Sequence, residues 1–397
     1  MYILVINSGS SSVKYKLFDV RNNAELAKGI VERIGLDKSS LTQQAFSKDE
    51  IRLNRRVTDH NQAIKFALQM LAHEQYGAIR NTDEIAACGH RVVHGGEEFS
   101  GSVVITGRVM KAIKSHFDIA PLHNPPNLLG IKVAKKLLPK IRHVAVFDTA
   151  FHQTIPPSAF LYGLPYSFYE KDKIRRYGFH GTSHRYVAQR ASEILKRPQS
   201  RLKLITVHLG NGCSITAVKN GKSINTSMGF TPLEGLVMGT RSGDIDPAVV
   251  FHLMHKKKLS YYAIDELLNK KSGLLGMSEV GSDMRDVYNA VKKGNRKARL
   301  AFEVFIDRIH KYVGSYAVAM DGVDAIVFTA GIGENHAPTR AAVCRNLSFL
   351  GVRLDAAKNN SSVKEKIITT AGSKTKVLVV PTNEELLIAQ ETHKFVK

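Results

Sequence analysis

A pattern of strand, small-residue loop and returning strand occurs twice, about half the chain apart, and this recurrence limits the folds open to the sequence. In the first copy Ile3-Leu4-Val5-Ile6 breaks into Asn7-Ser8-Gly9-Ser10-Ser11-Ser12 and returns as the alternating run Val13-Lys14-Tyr15-Lys16-Leu17-Phe18-Asp19. In the second, Ile205-Thr206-Val207-His208-Leu209 enters Gly210-Asn211-Gly212-Cys213 and returns through Ser214-Ile215-Thr216-Ala217-Val218 to a turn at Asn220-Gly221. Aligning Leu4 with Ile205 places Gly9 and Gly210 at the same offset. Two hairpins of one design imply two similar domains facing one ligand. A tip built from backbone N–H groups and hydroxyls suits an anion, phosphate above all. It is not a Walker loop, because the Gly-Lys-Ser/Thr ending and the following helix are missing. Taken alone, a Gly/Ser hairpin is as a rule only a turn.

The chain has 397 residues, more than one ordinary core organises. The expected domains are 1–150, joined by a C-terminal helix at about 385–397, and 151–384. No apolar run approaches the length of a membrane span, and the start does not resemble a secretory signal. Cys88, Cys213 and Cys344 are odd in number, without metal-site spacing, and suit a reduced cytoplasm. The formal net charge is +22. Its basic runs (Lys256-Lys257-Lys258, Lys270-Lys271 and Lys292 to Arg299) lack interleaved aromatics and any nucleic-acid motif. A solvated basic surface is therefore expected rather than a nucleic-acid site.

Between and after the hairpins, helical and strand patterns alternate, giving an α/β expectation. Asp59 suits the cap of a helix with Ile64, Leu68 and Leu71 on one face. Ile85-Ala86-Ala87-Cys88 reads as a strand ending at Gly89-His90-Arg91, and a helix from about Asn127 to Leu138 leads to the strand His143–Phe147. Asp148 ends that strand, as a site residue or equally as a helix cap. Phe151 to Tyr177 reads as an irregular crossing, and Thr182 or Ser183 starts a helix. Ala298, Phe302, Phe305, Ile309 and Val313 mark a long helix. The strand Ala325–Phe328 then runs into a loop, Thr329 to Asn335. Polar groups just beyond buried strands are candidate site residues: Arg91, Asp148, Asn211, Gly212 and Gly331. Phe179-His180-Gly181-Thr182 precedes a helix start, which favours a phosphate oxygen. Gly239-Thr240-Arg241-Ser242-Gly243-Asp244 sets an arginine in a small-residue loop. Singly, such an arginine is usually a surface charge and such a histidine usually packs. Together they have the parts of a phosphoryl-transfer site.

With Gly89-His90-Arg91-Val92-Val93-His94-Gly95-Gly96, Ala120-Pro121-Leu122-His123-Asn124-Pro125-Pro126, Phe147-Asp148-Thr149-Ala150-Phe151-His152, Tyr177 to His184, His208 to Gly212 and Met238 to Asp244, the whole chain resembles the acetate kinase family. That family belongs to the superfamily of acetate and sugar kinases, actin and heat-shock ATPases. The resemblance implies two duplicated ribonuclease-H-like domains with a nucleotide cleft between them. It also implies reversible in-line transfer of the ATP γ-phosphoryl to acetate, giving acetyl phosphate and ADP. Arg91 and Arg241 would hold the carboxylate and spread the charge of the transferring group. His180, supported by His123, would bond the phosphoryl, and Asp148 would orient the acceptor or its metal. Val93, Leu122, Phe179 and Pro232 would wall the methyl pocket. Asn7, Ser10, Ser12, Lys14, His208, Gly210, Asn211 and Gly212 would line the phosphate path. Asp283, Arg285, Ala330, Gly331, Ile332 and Asn335 would hold the nucleoside. Asn7 and Glu384 would serve Mg2+, with Mn2+ as the alternative. A cytoplasmic homodimer acting on acetate and ATP, with no nucleic-acid or membrane partner, is implied. Propionate kinase is the near alternative, and an actin-like ATPase without a metabolite acceptor is the more distant one. The chain departs from the family at Glu279 and Gly281, where glycine and serine are usual.

Overall fold

The computed structural model describes residues 1–46 and 48–396. The chain divides into two compact units, one of residues 1–151 and 383–397, the other of residues 152–382.

The first unit is built on an eight-stranded sheet: β1 (Tyr2–Ser8), β2 (Ser12–Asp19), β3 (Ala24–Glu32), β4 (Ser40–Ala45), β5 (Ile51–Asn54), β6 (Ile85–Val92), β7 (Val103–Val104) and β8 (Arg142–Phe147). Their order is β5-β4-β3-β2-β1-β6-β8-β7. Only β1–β6 and β6–β8 are parallel. The unbroken apolar run of β1 follows from burial on both faces. Leu4 and Ile6 pack with Val13, Tyr15 and Leu17 against Ile64, Leu68 and Leu71. Ile3 and Val5 pack on the opposite face with Val144, Val146, Ile388 and Ala389. Burying each such aliphatic side chain contributes about 1.5–3 kcal/mol.

Helix His60–Leu71 starts as expected at Asp59, whose carboxylate accepts the Gln62 N–H at 2.8 Å. The second helix runs Asn124–Leu137, three residues earlier than its apolar period indicates, because Pro125 and Pro126 fit a first turn that needs no N–H donors. β6 also outruns the expected strand. Arg91 lies within it rather than beyond it, since Gly89 lets the C-terminal helix Glu384–His393 approach the sheet. A Cβ on Gly89 would stand 2.3 Å from Thr392 Oγ1 and 2.8 Å from Ile388 Cγ2.

The second unit repeats the plan with β9 (Lys203–Leu209), β10 (Cys213–Lys219), β11 (Lys222–Thr226), β12 (Ala325–Thr329), β13 (Lys366–Ile367) and β14 (Lys376–Val379), ordered β11-β10-β9-β12-β14-β13. In each unit an antiparallel hairpin, β1–β2 or β9–β10, borders two further parallel strands. The order β3-β2-β1-β6-β8 thus recurs as β11-β10-β9-β12-β14. The long helix spans Arg296–Met320. The segment expected as a loop after β12 is instead a short helix, Ala330–Asn335, whose first residue is tied to the segment at Thr382 through one carboxylate. Glu334 Oε1 accepts from Ala330 N at 2.7 Å and from Thr382 N at 3.1 Å. The Phe151–Tyr177 crossing carries short helices at Pro157–Phe160 and Tyr166–Asp172.

Candidate active site

In the first unit the candidate residues gather where β1, β6 and β8 end. Ser8 accepts at its carbonyl from Asn127 Nδ2 at 2.7 Å, and Gly9 at its carbonyl from His60 Nε2 at 2.7 Å. These two bonds hold the tip that carries Asn7, Ser10, Ser12 and Lys14. Asn127 also accepts the Val93 N–H at 3.1 Å, so one side chain braces the hairpin and the end of β6 together. Neither Asn127 nor His60 was singled out from sequence, because a long-range side-chain bond to the backbone leaves no periodic trace.

Arg91 forms a two-pronged ion pair with buried Asp148, Nη2 to Oδ2 at 2.6 Å and Nε to Oδ2 at 3.1 Å. The fork fixes both groups. Glu384, in the first turn of the C-terminal helix, lies 3.9 Å from Arg91 Nε. Burial disfavours the Arg91 charge, yet Asp148 and Glu384 outweigh it and hold its pKa above the ordinary value. Val93 is buried and His123 occupies the position just before the helix Asn124–Leu137, whereas Leu122 is 65% exposed.

In the second unit the site is assembled from loops after β9 and before the helix Gly181–Ile194. His180 occupies the left-handed region at φ 56°, and its imidazole stacks on His208 at 4.1 Å between ring centres. Ser214 Oγ meets His180 Nδ1 at 2.8 Å and His184 Nε2 at 2.7 Å, while His184 Nδ1 meets Thr206 Oγ1 at 2.7 Å. Burial, with His152 and His208 nearby, pushes His184 well below its ordinary pKa, so this inner ring stays neutral. Ser183 Oγ bridges His208 Nδ1 and Thr382 Oγ1, at 2.8 and 2.9 Å. Ser214 thus ties the Nδ1 side of His180, and the Cε1–Nε2 side lies near Gly212.

Arg241 converges on the same glycine. A Cβ on Gly212 would stand 3.4 Å from His180 Cε1, 3.5 Å from His180 Nε2 and 3.5 Å from Arg241 Nη1. The space above Gly212 is thus bordered by an imidazole and a guanidinium. Arg241 Nη1 donates to the Pro232 carbonyl at 3.2 Å, and no carboxylate pairs with it among the described residues. Burial lowers its pKa, with only Cys213 opposing. Phe179 is buried, its carbonyl accepting from His152 Nε2 at 3.0 Å.

Beside these groups a cavity of about 410 Å³ is lined by Gly210, Asn211, Asp283, Arg285, Gly331, Ile332 and Asn335. Ser282, Met284 and His336, not anticipated from sequence, complete the lining. Ala330 sits behind it, its Cβ 3.8 Å from a Cβ built on Gly210. Exposed Arg285 bonds Asp283 at 2.6 Å and holds its pKa near 2. Arg340 supports the rim by donating to the Gly333 and Glu334 carbonyls at 2.9 and 2.8 Å. Glu279 occupies φ 56° at the end of the helix Gly273–Ser278, a left-handed conformation that suits glycine better than a residue with a side chain.

Although the cysteines lack metal-site spacing, folding brings Cys88, His90 and His143 together in the first core, their donor atoms within 4.8 Å. His90 Nε2 meets His143 Nδ1 at 3.0 Å and His143 Nε2 donates to the Leu138 carbonyl at 3.0 Å, which links the two imidazoles in a chain, while the Cys88 thiol points to the Gly89 carbonyl. Burial lowers both imidazoles and raises the thiol.

Residues 2–390 match the model of the acetokinase family. The chain is 55% identical over 396 residues to an acetate kinase of Alkaliphilus metalliredigens, covering 100% of both chains. It is 56% identical over 396 residues to one of Carboxydothermus hydrogenoformans, covering 100% of this chain and 99% of the relative. Its fold superimposes on the crystal structure of Porphyromonas gingivalis acetate kinase with a TM-score of 0.96, at 49% identity and full coverage of both chains. A propionate kinase from Francisella tularensis gives 0.92 at 43% identity, with 99% of each chain covered. The architecture is therefore the two-domain, actin-like ATPase fold that the recurring hairpins anticipate. With its whole length accounted for in this way, the chain belongs to the acetokinase family.

Proposed function

We propose that the chain is an acetate kinase, transferring the γ-phosphoryl of ATP to a carboxylate oxygen of acetate to give acetyl phosphate and ADP, reversibly and in line. The observation that carries this reading is the guanidinium of Arg241, partly withdrawn from water and unmatched by a carboxylate, beside His180 above Gly212. Such a pair suits a group whose charge spreads over equatorial oxygens during transfer. His180 bonds the moving phosphoryl through Nε2, and Ser214 and His208 keep the ring from turning away. Acetate is already ionised at neutral pH, so Asp148 is not needed as a base. Its role is to hold the Arg91 fork toward the carboxylate of the acceptor, with His123 in support. Val93, Leu122, Phe179 and Pro232 are the apolar residues we assign to the methyl group of the acceptor. The cavity lined by Asn211, Asp283, Gly331 and Asn335 takes the nucleoside, and Gly210, Gly212, His208, Asn7, Ser10, Ser12 and Lys14 follow the phosphates.

Asp148, Glu384 and Asn7 are an all-oxygen donor set, which fits Mg2+ or Mn2+ better than a softer ion. Glu384 stands in the first turn of the C-terminal helix, 3.9 Å from Arg91 Nε, so its carboxylate and the Arg91–Asp148 pair occupy one neighbourhood. When bound, the ion supplies positive charge to the β- and γ-phosphates. Two further features support a homodimer in the cytoplasm. The helix Pro247–Lys257 buries no residue within the chain and presents Phe251 at 70% exposure, an apolar face suited to a second copy. All three cysteines are buried free thiols, as a reducing compartment favours. Among the described residues no helix is long and apolar enough to cross a membrane.

Comparing kcat/KM for acetate, propionate and butyrate tests the substrate assignment. One methylene is worth about 1–3 kcal/mol, so acetate should lead propionate by roughly tenfold or more. A preference for propionate would reassign the pocket.

A further inference from the structure

A second concentration of cations lies on the first unit, on residues given no role above. Arg33 and Lys38, from the connection between β3 and β4, and Arg52, Arg55 and Arg56, from the edge strand β5 and its continuation, line a concavity of about 490 Å³. Asp37 is the one carboxylate in its lining. All five cations are exposed, and none forms an ion pair among the described residues. Elsewhere in this unit Arg21 pairs with Asp19 and Arg91 with Asp148.

Charges on an edge strand commonly serve to block pairing with another chain. That role needs only the β5 residues, and it accounts for neither Arg33 nor Lys38. The backbone that carries the two groups is also fixed. Buried Ser39 Oγ donates to the Arg33 carbonyl at 3.0 Å and accepts the Val57 N–H at 3.2 Å, stapling the two segments across the floor. Gly35 N donates to the Val57 carbonyl and Arg55 N to the Ser39 carbonyl, at 2.9 and 3.1 Å. Arg33 itself holds φ 58°, an uncommon conformation for a residue with a side chain. Five like charges on a rigid concave frame repel one another until a counter-ion arrives. Four of the five are arginines, whose forks match phosphate oxygens. A single phosphate can meet only part of this array, whereas the concavity has the size of a small-molecule site.

We propose that this concavity binds a linear polyphosphate chain of three or more phosphates, either free or carried by a nucleotide. The site lies behind the β1–β2 turn, to which its frame is tied by the Ile34 N–H on the Ser11 carbonyl at 3.0 Å. It accounts for part of the +22 charge that the phosphoryl-transfer residues do not explain.

The test is calorimetric titration of the full chain with sodium tripolyphosphate, with the nucleotide cavity saturated by ADP. The expected result is one further equivalent bound, weakening steeply with added salt. Arg52→Gln/Arg55→Gln/Arg56→Gln should bind at least about tenfold more weakly, each lost bond to a charged group being worth that much. Its kinase turnover and circular dichroism should match the parent. Should the triple variant misfold, exposed Arg52→Gln alone carries the comparison across a salt series. The portion of ATP binding that these variants lose identifies the source. A portion equal to that for tripolyphosphate means the phosphate chain alone is recognised, and a larger one means a nucleotide carries it. No second equivalent, or unchanged binding in the variants, overturns the proposal. So does duplex DNA that binds more tightly than tripolyphosphate and is lost in the same variants, which would make the surface a nucleic-acid site.

Discussion

Arg91 and Arg241 are chemically the same group placed in opposite electrostatic settings. Arg91 is locked to a buried carboxylate and faces a second one, so its charge is matched before any substrate arrives. Arg241 meets a carbonyl and a thioether, with a thiol nearby and no carboxylate paired with it among the described residues, and burial weighs against its charge. The first arrangement fixes position, and the second holds a charge that an incoming anion would satisfy. Removing one partner of a buried ion pair strands the other, whereas removing an unmatched buried charge relieves a desolvation cost. The two arginines should therefore separate in stability even where they agree in turnover.

The largest expected effect is on catalysis. Arg241→Ala should lower kcat by at least about a hundredfold, the scale for losing a charge-stabilising donor, with a melting temperature at or above the parent's. Steady-state kinetics and calorimetry on one preparation check both parts. Arg91→Ala should show a similar kinetic loss and also cost about 2–4 kcal/mol of stability, because Asp148 is left buried without its fork. Denaturant unfolding measures this, and equal stability of the two variants would erase the contrast. Ser214→Ala should lower kcat by about tenfold with little change in KM, since the ring of His180 loses its tether rather than its charge.

A smaller effect concerns pH. Burial, and secondly Arg340, pushes His336 from the ordinary 6.5 down to about 4. As pH falls, the unfolded chain takes up this proton first, so the contribution is whole above about pH 6.5 and is lost between 6.5 and 4. His336→Gln should show a shallower fall in melting temperature from pH 7 to pH 5 than the parent. The smallest effect is expected at Glu279, whose left-handed backbone favours glycine and whose contact with Lys297 is exposed. Glu279→Gly should raise stability by up to about 1 kcal/mol without altering turnover, as thermal unfolding would show.

The same contrast explains what could be read in the chain before folding. Asp59 as a cap, the apolar period of the long helix and the recurring hairpins are local signals, and they appear where expected. Gln43 carries no such signal. A polar residue that reads as surface, it is 1% exposed and joins Tyr15 Oη to the Met70 and Tyr76 carbonyls. β4 and β5 were hidden for the same reason. At the site, Arg91, Asp148, His180 and Arg241 stand in recognisable strings, but Asn127, His60 and Ser214 act through partners 30 to 119 residues away. Their contacts exist only once β1, β6, β9 and β10 have been laid side by side. That Arg91 is matched and Arg241 is not could not be inferred from either string.

The most direct measurement is hydroxylamine trapping of acetyl phosphate from acetate, Mg2+ and ATP, run side by side on the parent and on Arg241→Ala of verified stability. The account predicts rapid hydroxamate formation by the parent and a loss of at least about a hundredfold in the variant. Product from the variant at close to the parent's rate would contradict it.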